Sequence, residues 1–128
     1  MGIVDEFARY GAKLKNHVNN VSAISDGQMV ASLWQHRIKV EDGKWIYRDH
    51  LSRWSGQGNA LFRKHLEQAI ADDLPVRIVM ARTDNIPLIE GGGDGSKANN
   101  TFKARPEWVG KIEEFDGDNF VIRFEKRV

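Results

Sequence analysis

The 128-residue sequence contains no cysteine and only three prolines. Without cysteine, the chain cannot form disulfides, thiol-based active sites, zinc–thiolate sites or iron–sulfur clusters. It also has no run of about 18 apolar residues, so no membrane-spanning helix is predicted. Residues 1–6 carry two acids and no apolar segment, unlike a secretory signal. These absences favour the cytoplasm as the compartment and predict no membrane partner.

The chain also lacks an excess of charge of either sign. It carries 19 Lys and Arg against 18 Asp and Glu, which gives a net charge of +1. Hydrophobic residues make up 41% of the chain, enough for a core and too many for wholesale disorder. The length suits one compact unit. We therefore expect a single domain over residues 1–128.

Hydrophobic periodicity predicts two helices and about five strands. Apolar residues recur at three- and four-residue spacing over residues 3–24 and 59–72, and Asn59 is the expected N-cap of the second helix. The resulting order, α-β-β-α-β-β-β, predicts an α+β fold in which two helices pack on a mostly antiparallel, twisted sheet. The predicted strands cover residues 29–40, 45–51, 76–82, 108–115 and 119–126.

The first predicted hairpin has a defined register. Asp42 and Gly43 lie between two β-rich runs, and an Asp-Gly pair in that position favours a two-residue type I′ turn. Counting outward from this turn gives four directly opposed pairs, whose side chains share one face of the sheet. The pairs are Val40 with Trp45, Ile38 with Tyr47, His36 with Asp49, and Trp34 with Leu51.

Residues 84–106 are predicted to be irregular, with a mobile glycine-rich loop at about 90–101. The loop has almost no apolar content, and its Gly95-Ser96-Lys97 order does not match a P-loop. A flexible surface loop is the favoured interpretation. A loop that becomes ordered when Lys97 and its neighbours meet an anion is the alternative.

The predicted opposition of His36 and Asp49 offers the chain's only candidates for catalysis. A carboxylate beside an imidazole fixes the tautomer of the ring and raises its basicity. Ser32 lies on the same strand, but no nucleophile-elbow pattern surrounds it. A hydrogen-bonded polar pair at the edge of an aromatic core is the favoured interpretation. The four histidines show no metal-ligand spacing, so we predict neither a metal site nor a cofactor.

Basic residues cluster in two parts of the chain and give the strongest functional signal. Residues 48–65 and 97–111 each carry a net charge of +3, whereas residues 113–118 carry four acids. Lys and Arg side chains hold phosphate backbones, and exposed aromatic rings stack on bases. The predicted binding residues are Arg37, Arg48, Arg53, Trp54, Arg63, Lys64, Lys103 and Arg105, with Trp54 as the stacking ring.

Three functions remain open, in this order of preference. The first is a non-enzymatic binding module for nucleic acid or another polyanion. The second is a protein-interaction or inhibitory module that docks through a sheet edge or through the face of helix 3–24. The third is a small hydrolase-type enzyme that uses the His36–Asp49 pair. An enzyme is thus the less favoured interpretation.

Overall fold

A computed structural model describes residues 2–14, 20–53, 57–93 and 97–127, apart from the side chain of Gln57. Within these ranges the chain forms three α-helices and eight strands, and 3₁₀ turns at Gln35–Arg37 and Leu51–Arg53. The helices are α1 (Ile3–Ala8), α2 (Gln57–Ala71) and α3 (Ile86–Glu90). The strands are β1 (Ser22–Ser25), β2 (Gln28–Trp34), β3 (Ile38–Glu41), β4 (Lys44–His50), β5 (Val76–Thr83), β6 (Asn100–Ala104), β7 (Trp108–Phe115) and β8 (Asn119–Lys126).

The strands form one mixed sheet in the order β1-β2-β5-β7-β8-β4-β3, and β6 pairs with β5 beside this path. Strands β2 and β5 run parallel, and the other pairs are antiparallel. The predicted α+β class is therefore confirmed. The predicted five strands and two helices fall short of the number that forms, because β1, β6 and α3 lie in segments to which other structure was assigned and the predicted strand 29–40 divides into β2 and β3.

The first helix is much shorter than predicted and ends at Ala8. Gly11 adopts a left-handed conformation, with φ of 73°. The amide of Gly11 donates to the carbonyl of Ala8, and the amide of Ala12 donates to the carbonyl of Phe7. This pair of bonds is the Schellman arrangement, which stops a helix by satisfying its last carbonyls. The prediction of one helix over residues 3–24 is wrong for this reason.

A hairpin replaces the end of the predicted first helix. Ser25 pairs with Gln28 across a turn in which Asp26 and Gly27 both have positive φ. Two successive positive φ values define the type I′ turn that joins strands with the native twist. The Asp-Gly pair that marks the β3–β4 turn at residues 42–43 therefore also marks the β1–β2 turn.

The predicted strand 29–40 is broken at Gln35–Arg37, where a 3₁₀ turn redirects the chain. Before the break, β2 pairs with β1 and β5, whereas after it β3 pairs with β4. The register is confirmed beyond the break, since Val40 lies opposite Trp45 and Ile38 opposite Tyr47. The other two predicted oppositions are wrong, because the ladder ends before it reaches His36 and Trp34.

The segment predicted to be irregular, residues 84–106, contains α3 and β6. Residues 84 and 99 of this segment are held together, because both side-chain oxygens of Asp84 accept hydrogen bonds from Asn99, one from its backbone N–H and one from its side chain, each at 3.0 Å. Residues 94–96 of the predicted mobile loop lie outside the described residues.

Two apolar clusters form on the two faces of the central strand β5, which is buried on both faces. Val76, Ile78 and Met80 join the cluster that α2 covers, whereas Val79 joins the cluster beneath α1. Helix α2 and the β7–β8 hairpin match their predicted positions closely. Asn59 lies inside α2 instead of capping it, and its side chain donates to the carbonyl of Leu51.

Candidate functional site

Five charged or titratable side chains gather where the parallel strands β2 and β5 end. The 3₁₀ turn after β2 supplies His36 and Arg37, and α3 after β5 supplies Glu90. Strand β4 supplies Asp49, and the turn after it supplies Arg53. The carboxyl ends of parallel strands are a common location for ligand sites in α/β sheets. We name these five residues the arginine–carboxylate cluster.

The centre of the arginine–carboxylate cluster is a buried ion pair between Asp49 and Arg53. Arg53 Nε lies 2.8 Å from Asp49 Oδ1, and Arg53 Nη2 lies 2.6 Å from Asp49 Oδ2. The Asp49 side chain is fully buried, and 7% of the Arg53 side chain is exposed. Burial lowers the pKa of Arg53, but the hydrogen bonds and charge of Asp49 outweigh burial and raise that pKa above its ordinary value. Arg53 is therefore charged at neutral pH.

Glu90 extends the arginine–carboxylate cluster toward the surface. Arg37 Nε donates to Glu90 Oε2 at 2.9 Å, and His36 Nε2 lies 2.7 Å from the same oxygen. Arg37 Nη1 also lies 3.3 Å from Asp49 Oδ1, so Arg37 joins the two carboxylates. Burial raises the pKa of Glu90, but the hydrogen bonds from Arg37 and His36 outweigh burial and keep that pKa below its ordinary value.

The cluster does not contain the predicted His36–Asp49 pair. His36 is partnered by Glu90, and both oxygens of Asp49 are engaged by Arg53, by the hydroxyl of Tyr47 and by the amide of His50. This correction removes the geometric basis of the His–Asp hydrolase hypothesis. Two arginines face two carboxylates, so the net charge of the cluster is close to zero. Their ion pairs connect three segments of the chain.

A second charged region lies along strands β5 and β6. Lys103 is directly opposite Met80, and Thr101 is directly opposite Arg82, so Lys103 and Arg82 project from the same face. Arg105 follows two residues after Lys103, and its amide donates to the carbonyl of Ile78, which continues the ladder. We name Arg82, Lys103 and Arg105 the basic edge.

The cations of the basic edge are far less neutralised than those of the arginine–carboxylate cluster. Among the described residues, neither Arg82 nor Lys103 makes an ion pair, and both are exposed. Arg105 lies 3.8 Å from a carboxylate oxygen of Glu107, and its guanidinium lies 5.9 Å from the ring centroid of Trp108. The basic edge can therefore offer positive charge to an anionic partner.

Sequence reasoning identified Lys103 and Arg105 but missed Arg82, because β6 was not predicted. A signal was present, since residues 101–105 alternate polar and apolar side chains with the period of a strand. Pairing that strand with β5 would have placed Arg82 beside Lys103.

The remaining predicted binding residues are dispersed. Arg48 makes a bidentate ion pair with Glu41 on the exposed surface. On α2, Arg63 donates to the carbonyl of Gly117, and Lys64 is exposed. Trp54, the predicted stacking ring, lies outside the described residues.

A serine–histidine pair is a further arrangement that sequence reasoning missed. Ser22 Oγ lies 2.7 Å from His65 Nδ1, and burial lowers the pKa of His65. Ser22 is only 2% exposed, so a substrate has no access to its hydroxyl. Within residues 2–14, 20–53, 57–93 and 97–127, no three His, Asp or Glu side chains gather as a metal site. In the same ranges no helix has the length and apolar character needed to cross a membrane.

Comparison with known proteins adds no functional information. No family model matches the chain, and neither a curated protein nor a solved structure is significantly similar to it. The arginine–carboxylate cluster and the basic edge are therefore the two candidate sites of this chain.

Proposed function

We propose that this protein is a non-enzymatic binding module for nucleic acid, whose phosphates lie along the basic edge. The observation that carries the proposal is the pair of exposed cations, Arg82 and Lys103, on one face of the β5–β6 ladder without a carboxylate partner among the described side chains. Phosphate groups are held by such Lys and Arg side chains, and the release of counterions supplies much of the affinity.

The arginine–carboxylate cluster has a different role in this proposal. Arg37 and Arg53 already have carboxylate partners, so phosphate binding there would require the breaking of existing ion pairs. Breaking a buried pair leaves an uncompensated charge, which is costly. We therefore propose that the cluster supports the fold, and that Lys103 and Arg105 are the principal contacts among the residues predicted from the sequence.

The test measures binding of labelled nucleic acid by fluorescence anisotropy. Single-stranded DNA, RNA and duplex DNA of about 15 nucleotides are titrated with the full chain, at salt concentrations of about 50 and 200 mM. The double variant R82A/K103A removes two phosphate contacts. We expect its affinity for single strands to fall about tenfold or more and its salt slope to fall by about 1.4.

The matched control is the double variant K111A/R123A, which also removes two positive charges. Lys111 and Arg123 are exposed but paired with Asp73 and Glu113, so they are not free to hold phosphates. Its affinity should therefore be close to that of the wild type. Equal losses in the two double variants would show a nonspecific effect of net charge and contradict the proposal, as would the absence of binding at low salt.

One observation favours a second function, docking of another protein chain at a sheet edge. Strand β3 ends the sheet path, and its Val40 is 70% exposed. A strand at the edge of a sheet presents unpaired backbone groups that can pair with another strand. The helix face at residues 3–24, the other docking surface predicted from the sequence, does not form, because α1 ends at Ala8.

The second function predicts self-association through β3. Sedimentation velocity should then show a dimer for the wild type and a monomer for Val40→Lys, because a lysine on an edge strand opposes pairing. A monomeric wild type would remove the support for this function.

A further inference from the structure

Two tryptophans from different strands of the sheet stack on each other. The ring centroids of Trp45 on β4 and Trp108 on β7 lie 4.2 Å apart, and the ring planes are inclined by 18°. Trp108 is 8% exposed, and its ring centroid lies 6.1 Å from that of Phe124 in the core, whereas Trp45 is only partly buried. Trp45 is therefore the member of the stack that reaches the surface.

The surface beside Trp45 is open to solvent. Val40 on β3 lies directly opposite Trp45, so its side chain projects from the same face, and it is 70% exposed. Strand β3 ends the sheet path, and no other strand of the described residues pairs beyond it. A ligand can therefore reach the Trp45 ring from the side of β3.

The tryptophan stack projects from the same face of the sheet as the basic edge. Directly opposed residues share a face, and one row of them crosses the sheet from β4 to β5. The row consists of Trp45, Phe124, Gly110 and Val76. Side chains alternate along β5, so Val76 shares its face with Met80, and Lys103 is directly opposite Met80. Trp45 and Lys103 are therefore on one face.

Two cations lie next to the tryptophan stack. The guanidinium of Arg105, a member of the basic edge, lies 5.9 Å from the ring centroid of Trp108, within the range of a cation–π contact. Its ion pair with Glu107 is 3.8 Å long and solvent-accessible, and such pairs contribute little, so Arg105 can turn toward a phosphate. Lys126 is directly opposite Trp108, is exposed and makes no ion pair with another described residue. Positive charge thus continues from Lys103 to the stack.

We propose that Trp45 is the platform on which an unpaired base of a bound single strand stacks, while the phosphates beside that base contact Arg105 and Lys126. The inference rests on the proposed function and adds the bases to the phosphates as part of the ligand. An aromatic side chain can stack on any base, because every base has a π-face, so this contact favours single strands without selecting a sequence. A duplex keeps its bases stacked on one another and offers none to Trp45.

The experiment compares two labelled single strands that carry the same number of phosphates. One is a thymidine strand of about 15 nucleotides. The other is an abasic strand of the same length, which keeps the sugars and phosphates but has no bases. We expect the wild type to bind the thymidine strand at least about fivefold more tightly than the abasic strand, since stacking of a single base contributes this much.

Variants of Trp45 show whether its ring is responsible. Trp45→Leu keeps an apolar side chain but removes the ring, so affinity for the thymidine strand should fall about fivefold or more, with no change for the abasic strand. Trp45→Phe keeps a ring and should retain part of the preference. The matched control is Trp34→Leu, because Trp34 is also partly exposed but lies beside the ring of His36, with 6.1 Å between the ring centroids. Its affinities should equal those of the wild type.

A structural effect of the substitution is recognised in two ways. Circular dichroism establishes that each variant is folded, and a folded Trp45→Leu that loses equal affinity for both strands overturns the inference. Photocrosslinking requires no variant, so it decides the matter if Trp45→Leu is unfolded. A thymidine strand with one iodouracil is irradiated with the wild type, and the adduct is mapped by mass spectrometry. We expect the adduct at Trp45, and any other result, including one confined to Trp54, overturns the inference.

The outcomes separate the inference from the proposed function. Equal affinity of the wild type for the two strands overturns stacking on Trp45 but leaves the binding module intact, and R82A/K103A should then still weaken binding of both. No binding of any strand overturns the proposed function, and the inference fails with it. A wild-type dimer that Trp45→Leu converts to a monomer in sedimentation velocity, with unchanged affinity for the thymidine strand, would assign this surface to protein docking and overturn the inference.

Discussion

The arginine–carboxylate cluster and the basic edge use similar cations in opposite ways. In the cluster, Arg53 is almost fully buried and forms two hydrogen bonds with one carboxylate. Along the edge, Lys103 and Arg82 are exposed and lack acidic partners among the described residues. Counting positive charges along the sequence does not distinguish these situations. The position of the nearest carboxylate decides whether a cation stabilises the fold or can bind a partner.

The largest expected effect comes from removing the carboxylate that both arginines of the cluster share. Asp49→Ala leaves Arg53 buried without its partner, so we expect a loss of about 3–5 kcal/mol in the free energy of unfolding. Urea denaturation followed by tryptophan fluorescence measures it. The control is Glu41→Ala, which breaks the exposed pair with Arg48 and should leave the unfolding midpoint almost unchanged. Similar losses of unfolding free energy in the two variants would contradict the distinction between the buried and the exposed ion pair.

The next largest effect concerns the glycine that packs against the cluster. Gly92 has φ of 80°, and a Cβ added there would collide with the carbonyl oxygen of Arg53. We expect Gly92→Ala to cost about 2–3 kcal/mol. Gly27→Ala is the matched control, because Gly27 has φ of 73° and open space around it. This substitution should therefore cost only the strain of a left-handed alanine, about 1 kcal/mol. Thermal unfolding should rank the variants in this order.

Exchanging Lys and Arg in each region further distinguishes the arginine–carboxylate cluster from the basic edge. Arg53→Lys keeps the charge but loses the bidentate geometry, so we expect destabilisation of about 1.5–2 kcal/mol. Lys103→Arg keeps a cation on an open surface and should leave both stability and nucleic-acid affinity near the wild-type values. If the exchange at position 103 is the more damaging one, the assigned roles of the two regions are wrong.

The smallest effect is a pH dependence that arises from Glu90. Its pKa is lower in the folded protein than its ordinary value of 4.5, so its contribution to stability is present above that pH and is lost as the pH falls through the folded pKa. Glu90→Gln should therefore be less stable than the wild type at neutral pH, and the difference should shrink below pH 4.5. Denaturation curves at several pH values across this range measure the difference in unfolding free energy between the wild type and Glu90→Gln. A difference that does not change with pH would exclude Glu90 as the source of the pH dependence.

Local signals predicted those parts of the fold that depend on neighbouring residues. The β7–β8 hairpin, helix α2 and the register of Val40 against Trp45 follow from periodicity and turn chemistry. The β1–β2 turn carries the same Asp-Gly signal, but residues 22–24 of β1 fall within the predicted helix 3–24, because the apolar spacing there also fits a helical period. Gly11, which lies within that spacing, is the residue that ends the helix.

The candidate sites were less predictable, because their members come from distant parts of the sequence. Glu90 meets Arg37 only because β2 and β5 are adjacent and parallel, and no local pattern encodes that pairing. Arg82 joins Lys103 only through the ladder between β5 and β6. The sequence identifies charged residues, but their neutralisation depends on tertiary contacts.

The single parallel pairing has a consequence for how the chain folds. Met29 pairs with Val76, and the β3–β4 hairpin and α2 lie between them in the sequence. Joining distant residues requires closure of a long loop, which slows folding, whereas hairpins and helices form rapidly. The antiparallel hairpins and α2 should therefore form early, and the docking of β2 onto β5 should limit the folding rate. Substitutions in the β2–β5 interface would then slow refolding more than equally destabilising substitutions near the β3–β4 turn.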